Sequence, residues 1–203
     1  MIELHVEGGL WRVVLNRPEK ANALTKVMLE ELDQICLRAG AEGAQVLVFC
    51  GTGKVFSAGA DLDEARAGLA TDAVWDRLSN RIAALPCLTI AALNGTLAGG
   101  AMGLALACDL RLAVAGAKVF YPVMKLGFLP QPADPVRLCA LVGPARAKMI
   151  LMAGVKATAE EALAWGLFDR IVTGDMAEEI AALSADSLAA SASHVAAIKA
   201  MIG

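Results

Sequence analysis

Residues 82–108, IAALPCLTIAALNGTLAGGAMGLALAC, contain no charged side chain, and the reading of this run decides the fold. A transmembrane helix needs about 20 apolar residues, so the run is long enough to cross a bilayer. Gly95, Gly99 and Gly103 even recur at the four-residue spacing of packed membrane helices. Against a span stand Pro86 and the pair Asn94-Gly95, a turn signal. Much of the remainder is Ala and Gly, which carry little transfer free energy. The run therefore reads as a buried strand at Leu88–Leu93, a turn, and a small-residue helix at Gly99–Cys108. Strands buried on both faces of a parallel sheet are continuous apolar runs of this kind.

Outward from this run the chain alternates strands with helices. Toward the N-terminus, Ile2–Glu7 and Leu10–Asn16 are predicted strands joined by the hairpin signal Gly8-Gly9. Thr25 is placed to cap a helix running to about Gly40, with Val27, Met28, Leu32, Ile35 and Leu37 as its apolar stripe. Gln45–Cys50 is a buried strand, Phe56–Leu62 a loop of small residues, and Ala73–Ala84 a helix. Toward the C-terminus come short strands at Leu110–Ala115 and Val119–Tyr121. The proline-rich stretch Gly127–Pro135 excludes regular structure. Helices follow at Val136–Leu141, Pro144–Met152 and Ala159–Trp165, a strand at Phe168–Val172, and helices at Met176–Ala190 and Ser193–Met201. The pattern predicts an α/β fold with parallel pairing, as one domain over 1–203: a core over about 1–173 and C-terminal helices over about 174–203.

Composition narrows the function. Of 203 residues 57% are hydrophobic, which excludes disorder. With 18 basic against 21 acidic side chains, dispersed singly, nothing marks a nucleic-acid or anionic-membrane surface. The five cysteines form no C-x-x-C pair, and only His5 and His194 exist as imidazoles. Neither a disulfide framework nor a metal site is expected, and the thiols read as core residues of a reducing cytoplasm. The N-terminus lacks the form of a signal peptide.

Two glycine-containing segments follow predicted buried strands: Ser57-Ala58-Gly59-Ala60-Asp61 and Asn94-Gly95-Thr96-Leu97-Ala98-Gly99-Gly100. Neither is a common phosphate-binding loop. The second opens a helix, where free amide N–H groups can bind an anion or a polarised carbonyl. Two such loops at neighbouring strand ends can set two backbone donors around one oxygen, as in an oxyanion hole.

These segments, together with Asn16-Arg17-Pro18-Glu19-Lys20-Ala21-Asn22-Ala23-Leu24, Cys108-Asp109, Lys125-Leu126-Gly127 and Gly154…Ala162…Gly166-Leu167, resemble the crotonase, or enoyl-CoA hydratase/isomerase, superfamily along nearly the whole chain. The resemblance implies a crotonase-like spiral of strand-strand-helix (ββα) repeats with C-terminal helices. It also implies an acyl-CoA substrate, no cofactor beyond the coenzyme A moiety of that substrate, and homotrimers or hexamers. By position, the backbone N–H groups of Ala60 and Gly100 match those that hold the thioester oxygen. Lys20, Ala21 and Ala23 match the loop around the nucleotide end of coenzyme A, and Ala58, Asp61 and Leu62 match residues lining its adenine site.

The departures from the family pattern are as informative. Hydratases of the family use two glutamates as acid and base; the matching positions here are Gly103 and Val123, and neither can transfer a proton. Each such group is typically worth 10²–10⁴-fold in rate. Typical two-glutamate hydration is therefore not assigned. Where hydratases have a glycine-rich turn, this chain reads Gln131-Pro132-Ala133-Asp134-Pro135. Other members of the superfamily carry a working carboxylate in this region, so Asp134 is the candidate general base and Gln131 a water-positioning group. The competing reading makes Asp134 an ordinary N-cap with Pro at the first helical position. Asp61 and Asp109 read as a cap and a turn support. Trp11, Trp75 and Trp165 read as core or interface residues. Members of the family usually continue past this chain's last residues with helices that cover the acyl pocket. The expected activity is that of an isomerase, hydrolase or atypical hydratase; the alternative is a non-catalytic acyl-CoA binder.

Overall fold

The computed structural model describes residues 1–202. Gly203, included in the expected C-terminal helical region, lies outside them. At the N-terminus β1 (Ile2–Glu7) and β2 (Leu10–Leu15) form the hairpin announced by Gly8-Gly9. The first helix, α1 (Lys26–Ala41), starts where Thr25 accepts a hydrogen bond from the Met28 N–H. Its buried face is Met28, Leu29, Leu32, Ile35, Cys36 and Ala39. Val27 and Leu37, expected on that face, point to solvent, because α1 packs on one side only and those positions fall on the other.

The following segments repeat one unit. Strand β3 (Val46–Gly51) leads to the short strand β4 (Val55–Ser57), then to α2 (Leu62–Arg66) and α3 (Val74–Ala83). Strand β5 (Leu88–Leu93) leads to β6 (Thr96–Ala98) and α4 (Ala101–Ala107). Strand β7 (Leu110–Val114) leads to β8 (Lys118–Phe120) and the single-turn α5 (Val123–Leu126). In each unit the longer strand joins one sheet and the shorter strand a second. The first sheet has the order β1-β2-β3-β5-β7-β10, and the second β4-β6-β8-β9. Both are parallel along the repeating strands, which makes the spiral of ββα turns.

The chain closes with α6 (Asp134–Leu151), β9 (Ala157–Thr158), α7 (Ala159–Ala164), β10 (Arg170–Val172), α8 (Met176–Ala189) and α9 (Ala192–Ile202). Gly143 interrupts α6 with φ +77°, so the two helices expected on either side of it are nearly continuous but broken there. Thr158 and Glu161 form a capping box at α7, and Asp175 caps α8.

Burial explains the uncharged run. In β3, Leu47 and Phe49 face the main core while Val46 and Val48 face the second cluster, shared with Ile90, Leu112 and Ile180. Both faces of the sheet are covered, so no position alternates to polar. Helix α4 is seven residues long and buried throughout, and no helix of the described residues is long and apolar enough to cross a membrane. Cys36, Cys87 and Cys108 are buried, and burial pushes the Cys36 thiol up to about 12 and that of Cys87 up to about 11.

Candidate active site

Two loops at the ends of β4 and β6 meet. Gly59 has φ +95°, and a Cβ there would lie 2.9 Å from the Ala98 carbonyl oxygen and 3.0 Å from the Gly100 nitrogen. Only glycine permits this approach. The Gly59 carbonyl accepts from the Leu24 N–H at 2.7 Å, and the Asp61 N–H donates to the Leu24 carbonyl at 2.8 Å. The Gly99 N–H donates to Phe120 O at 3.1 Å. Between these committed groups, the N–H groups of Ala60 and Gly100 donate to no acceptor among the described residues. Both residues line one cleft of about 80 Å³, with Ala58, Trp75, Tyr121 and Val123 among its walls.

Around the mouth the loop Lys20–Leu24 is tied to the loop Ala58–Leu62. The Ala58 N–H donates to Ala21 O at 3.0 Å, and Arg17 Nη1 reaches both Ala23 O at 3.1 Å and Asp61 Oδ2 at 2.8 Å. Ala21 and Asn22 adopt left-handed φ near 50°, held because the buried Asn22 side chain accepts from the Arg17 N–H and donates to Thr52 O and Val55 O. Asp61 caps α2 and pairs with Arg17, whose hydrogen bond holds its carboxyl below the usual carboxylate range. Asp61 is thus turned toward Arg17, while Leu62 stays exposed at the rim and Lys20 is exposed on its turn.

Asp134 is not a cap. Ala133 occupies the cap position, Asp134 is the first residue of α6, and its side chain accepts from no helical N–H. Its carboxyl turns inward instead: Oδ2 accepts from the Tyr121 hydroxyl at 3.0 Å, and Oδ1 has no partner among the described residues. The Ala133 N–H is taken by Asp76 Oδ1 at 3.3 Å. A Cβ built at Gly103 would lie 2.7 Å from Oδ1 and 3.3 Å from Oδ2. The carboxyl therefore occupies the volume that a side chain at position 103 would fill. At 1% exposure, burial pushes the Asp134 carboxyl up to about 7, partly offset by the Tyr121 hydrogen bond and the Arg137 charge. Asp134 itself is not among the residues lining the cleft, but Tyr121 is.

Tyr121 escapes a reading of the sequence. It is the chain's only tyrosine, it directly follows the three-residue strand β8, and nothing local separates it from a core aromatic. Burial and the neighbouring Asp134 push its hydroxyl well above the ordinary tyrosine value. Trp75 is buried as expected, with its Nε1 donating to Leu69 O at 2.8 Å, yet its ring also lies against Gly100 and walls the cleft. Gln131, expected to position water, spends its amide on Ala70 O at 2.9 Å and helps close the wall. Asp109 anchors β5 and α9 through the Thr89 N–H and Lys199. His5 and His194 lie on β1 and α9, away from the cleft. A larger cavity of about 640 Å³ beside α8 and α9 shares no wall with the cleft, and Lys199 and Asp109 in its wall bond to each other.

Paired sheets built from ββα turns, with small-residue loops meeting at the strand ends, define the crotonase class. The family model described as enoyl-CoA hydratase/isomerase matches residues 5–202. The chain is 36% identical to the Mycobacterium bovis protein described as "Probable enoyl-CoA hydratase echA6", over 85% of this chain and 71% of that one. It is 31% identical to the 1,2-epoxyphenylacetyl-CoA isomerase of Escherichia coli K12, over 87% of this chain and 73% of that one. A crystal structure of an enoyl-CoA hydratase from Bacillus anthracis superposes with a TM-score of 0.89 at 32% identity, covering 99% of this chain and 81% of the other. The chain belongs to the enoyl-CoA hydratase/isomerase family.

Proposed function

We propose that the chain binds an acyl-CoA thioester in the cleft and moves a proton on the acyl group next to the carbonyl. The carrying observation is the pair of uncommitted N–H groups, Ala60 and Gly100, on two touching loops in the wall of one cleft. Removing a proton beside a thioester carbonyl makes an enolate, and two fixed donors stabilise the charge that develops on its oxygen. One such donor is typically worth about 2.7–4 kcal/mol. Lys20, Ala21 and Ala23, with Ala58, Asp61 and Leu62, form the joined loops that would take the nucleotide end of coenzyme A, Lys20 offering its ammonium to phosphate. Exposed Leu62, Met124, Leu126 and Leu129 offer an apolar path for the acyl group.

Asp134 supplies the acid/base function. Its carboxyl fills the slot at Gly103 from a different helix, and a value near 7 lets it hold or release a proton at neutral pH. Val123, at the second glutamate position of the family pattern, presents only methyl groups to the cleft. One ionisable carboxyl suits a reaction in which the same group takes a proton from one carbon and returns it to another, which favours an isomerase over a hydratase. Val136 and Met149 on α6, with Met152 just past its end, leave apolar surface for contacts between copies, in keeping with a trimer or a pair of trimers.

The test is calorimetric titration with crotonyl-CoA and acetyl-CoA, followed by NMR of the bound thioester in heavy water. Saturable binding with deuterium entering the acyl chain, lost in Asp134→Asn, supports the reading. Binding without any exchange makes the chain a non-catalytic binder, and no binding removes the thioester altogether.

A further inference from the structure

The cleft and the carboxyl are separated by one residue. Asp134 is enclosed: Oδ1 faces the backbone of α4 at Gly103, and among the described residues the only hydrogen-bond partner of Oδ2 is the Tyr121 hydroxyl at 3.0 Å. Tyr121 stands on both sides of this boundary, lining the cleft with Ala60 and Gly100 while bonding Asp134 behind it. Its hydroxyl oxygen also faces the Gln131 N–H at 3.4 Å, which holds it from the loop side. We propose that Tyr121 is the residue that touches the acyl carbon and that Asp134 acts through it, as the proton store of a two-member relay. This rests on the acyl-CoA reading given above.

The step balances without any further reactant. The C–H bond beside the thioester breaks and its proton bonds to Tyr121 Oη. In the same event the Oη–H bond breaks and that proton bonds to Asp134 Oδ2. The C–H electron pair becomes the enolate, whose oxygen sits at the Ala60 and Gly100 N–H groups. In reverse, Asp134 returns its proton to Oη and the tyrosine delivers its own to carbon, at the original position or at a conjugated one. No free phenolate forms at any point, which matters because burial and the facing carboxylate both oppose it. The groups facing the relay are Tyr121 from the β8–α5 junction, Arg137 from α6 and Asp76 from α3. Arg137 is itself engaged by Ser79 and Asn80, so it tunes Asp134 without reaching it as a hydrogen-bond donor.

The experiment uses the full chain with crotonyl-CoA and acetyl-CoA, reading deuterium exchange at the acyl carbons by NMR and affinity by calorimetry. The relay requires Tyr121→Phe to lose exchange at least 100-fold, as Asp134→Asn does, with thioester affinity held within a few-fold. It also requires the double variant to be no slower than either single one, because the two residues act as a unit. A Tyr121→Phe protein that exchanges at the wild-type rate overturns the relay. So does one whose only change is a pH profile moved upward, the mark of a hydrogen bond that merely lowers the Asp134 value. Because Tyr121 is the only tyrosine, growth on 3-fluorotyrosine changes this one hydroxyl in an otherwise native protein. A wild-type exchange rate there, unchanged by the raised acidity of the fluorinated phenol, also overturns the relay. Failure of the wild-type chain to bind either thioester instead overturns the acyl-CoA reading beneath it.

Discussion

Asp134→Asn should make the protein more stable at alkaline pH while abolishing proton exchange. The folded state raises this carboxyl from 3.8 to about 7, so it binds the proton more tightly than the unfolded chain does. Stability linked to the group is therefore fullest below pH 3.8 and is lost as pH rises toward 7. At 1.36 kcal/mol per pKa unit, three units amount to about 4 kcal/mol, of which about 3 kcal/mol falls between pH 5 and pH 8. Asparagine keeps an oxygen for the Tyr121 hydroxyl and carries no charge, so its stability lacks this slope. Its amide has no acceptor beside Gly103, which costs about 1–3 kcal/mol at every pH. The variant should thus lie near or below the wild type at pH 5 and rise relative to it by about 3 kcal/mol by pH 8. Urea denaturation at half-unit steps of pH measures the difference directly. A difference that does not change with pH, or one that grows in favour of the wild type as pH rises, would refute both the buried-carboxyl argument and the functional role built on it.

Further outcomes test the surrounding geometry. Gly103→Ala should destabilise the fold, since overpacking against the Asp134 carboxyl costs about 1–3 kcal/mol against a helix-propensity gain of about 0.5–1 kcal/mol. In an Asp134→Gly background the same change should become stabilising, and additive melting shifts in the double variant would show that the two side chains do not share a slot. Gly100→Pro keeps φ at −60° but deletes the N–H and brings a Cβ within 3.1 Å of the Trp75 ring, so turnover should fall by at least about 10²–10³-fold; undiminished turnover removes Gly100 from the oxygen site. Asp61→Ala removes the α2 cap and strands Arg17, with an expected loss of about 1–2 kcal/mol in thermal unfolding. It should also weaken thioester binding, because the Lys20–Leu24 loop loses its tether. Thr158→Ala should cost about 0.5–2 kcal/mol through the α7 capping box and leave exchange untouched.

What was legible in the sequence follows from which signals are local. Long strands buried on both faces announce themselves as apolar runs, so β3 and β5 were placed to within a residue, and Thr25 and Asp61 cap helices as their neighbours suggested. The three-residue strand β6 and the two-residue β9 carry no such pattern. They exist because adjacent turns of the spiral supply backbone partners, and no residue of their own announces that. The residues of β4 read as loop in the sequence for the same reason. The apolar stripe of α1 was legible in period but misassigned at Val27 and Leu37, since sequence alone does not say how wide a face the neighbours cover.

Asp134 shows where local logic gives way to tertiary structure. An aspartate before proline at a helix start satisfies every rule for a cap, and in isolation it would cap. Here the helix begins one residue earlier, and the side chain turns inward to the hydroxyl of Tyr121 and a glycine-sized gap on α4. Burying a carboxyl that lacks a full set of partners is costly, and a cap would have avoided that cost. The resulting conflict between helix-start preference and burial is the kind that folded proteins retain at working sites. The same gap explains why Gly103 reads as a departure in sequence and as a fit in structure: a residue larger than glycine would evict the only carboxyl that the tyrosine in the cleft wall touches. On the proposed reading the proton-transfer group comes from position 134 into the space that a side chain at position 103 would fill, so Gly103 and Asp134 make physical sense only together.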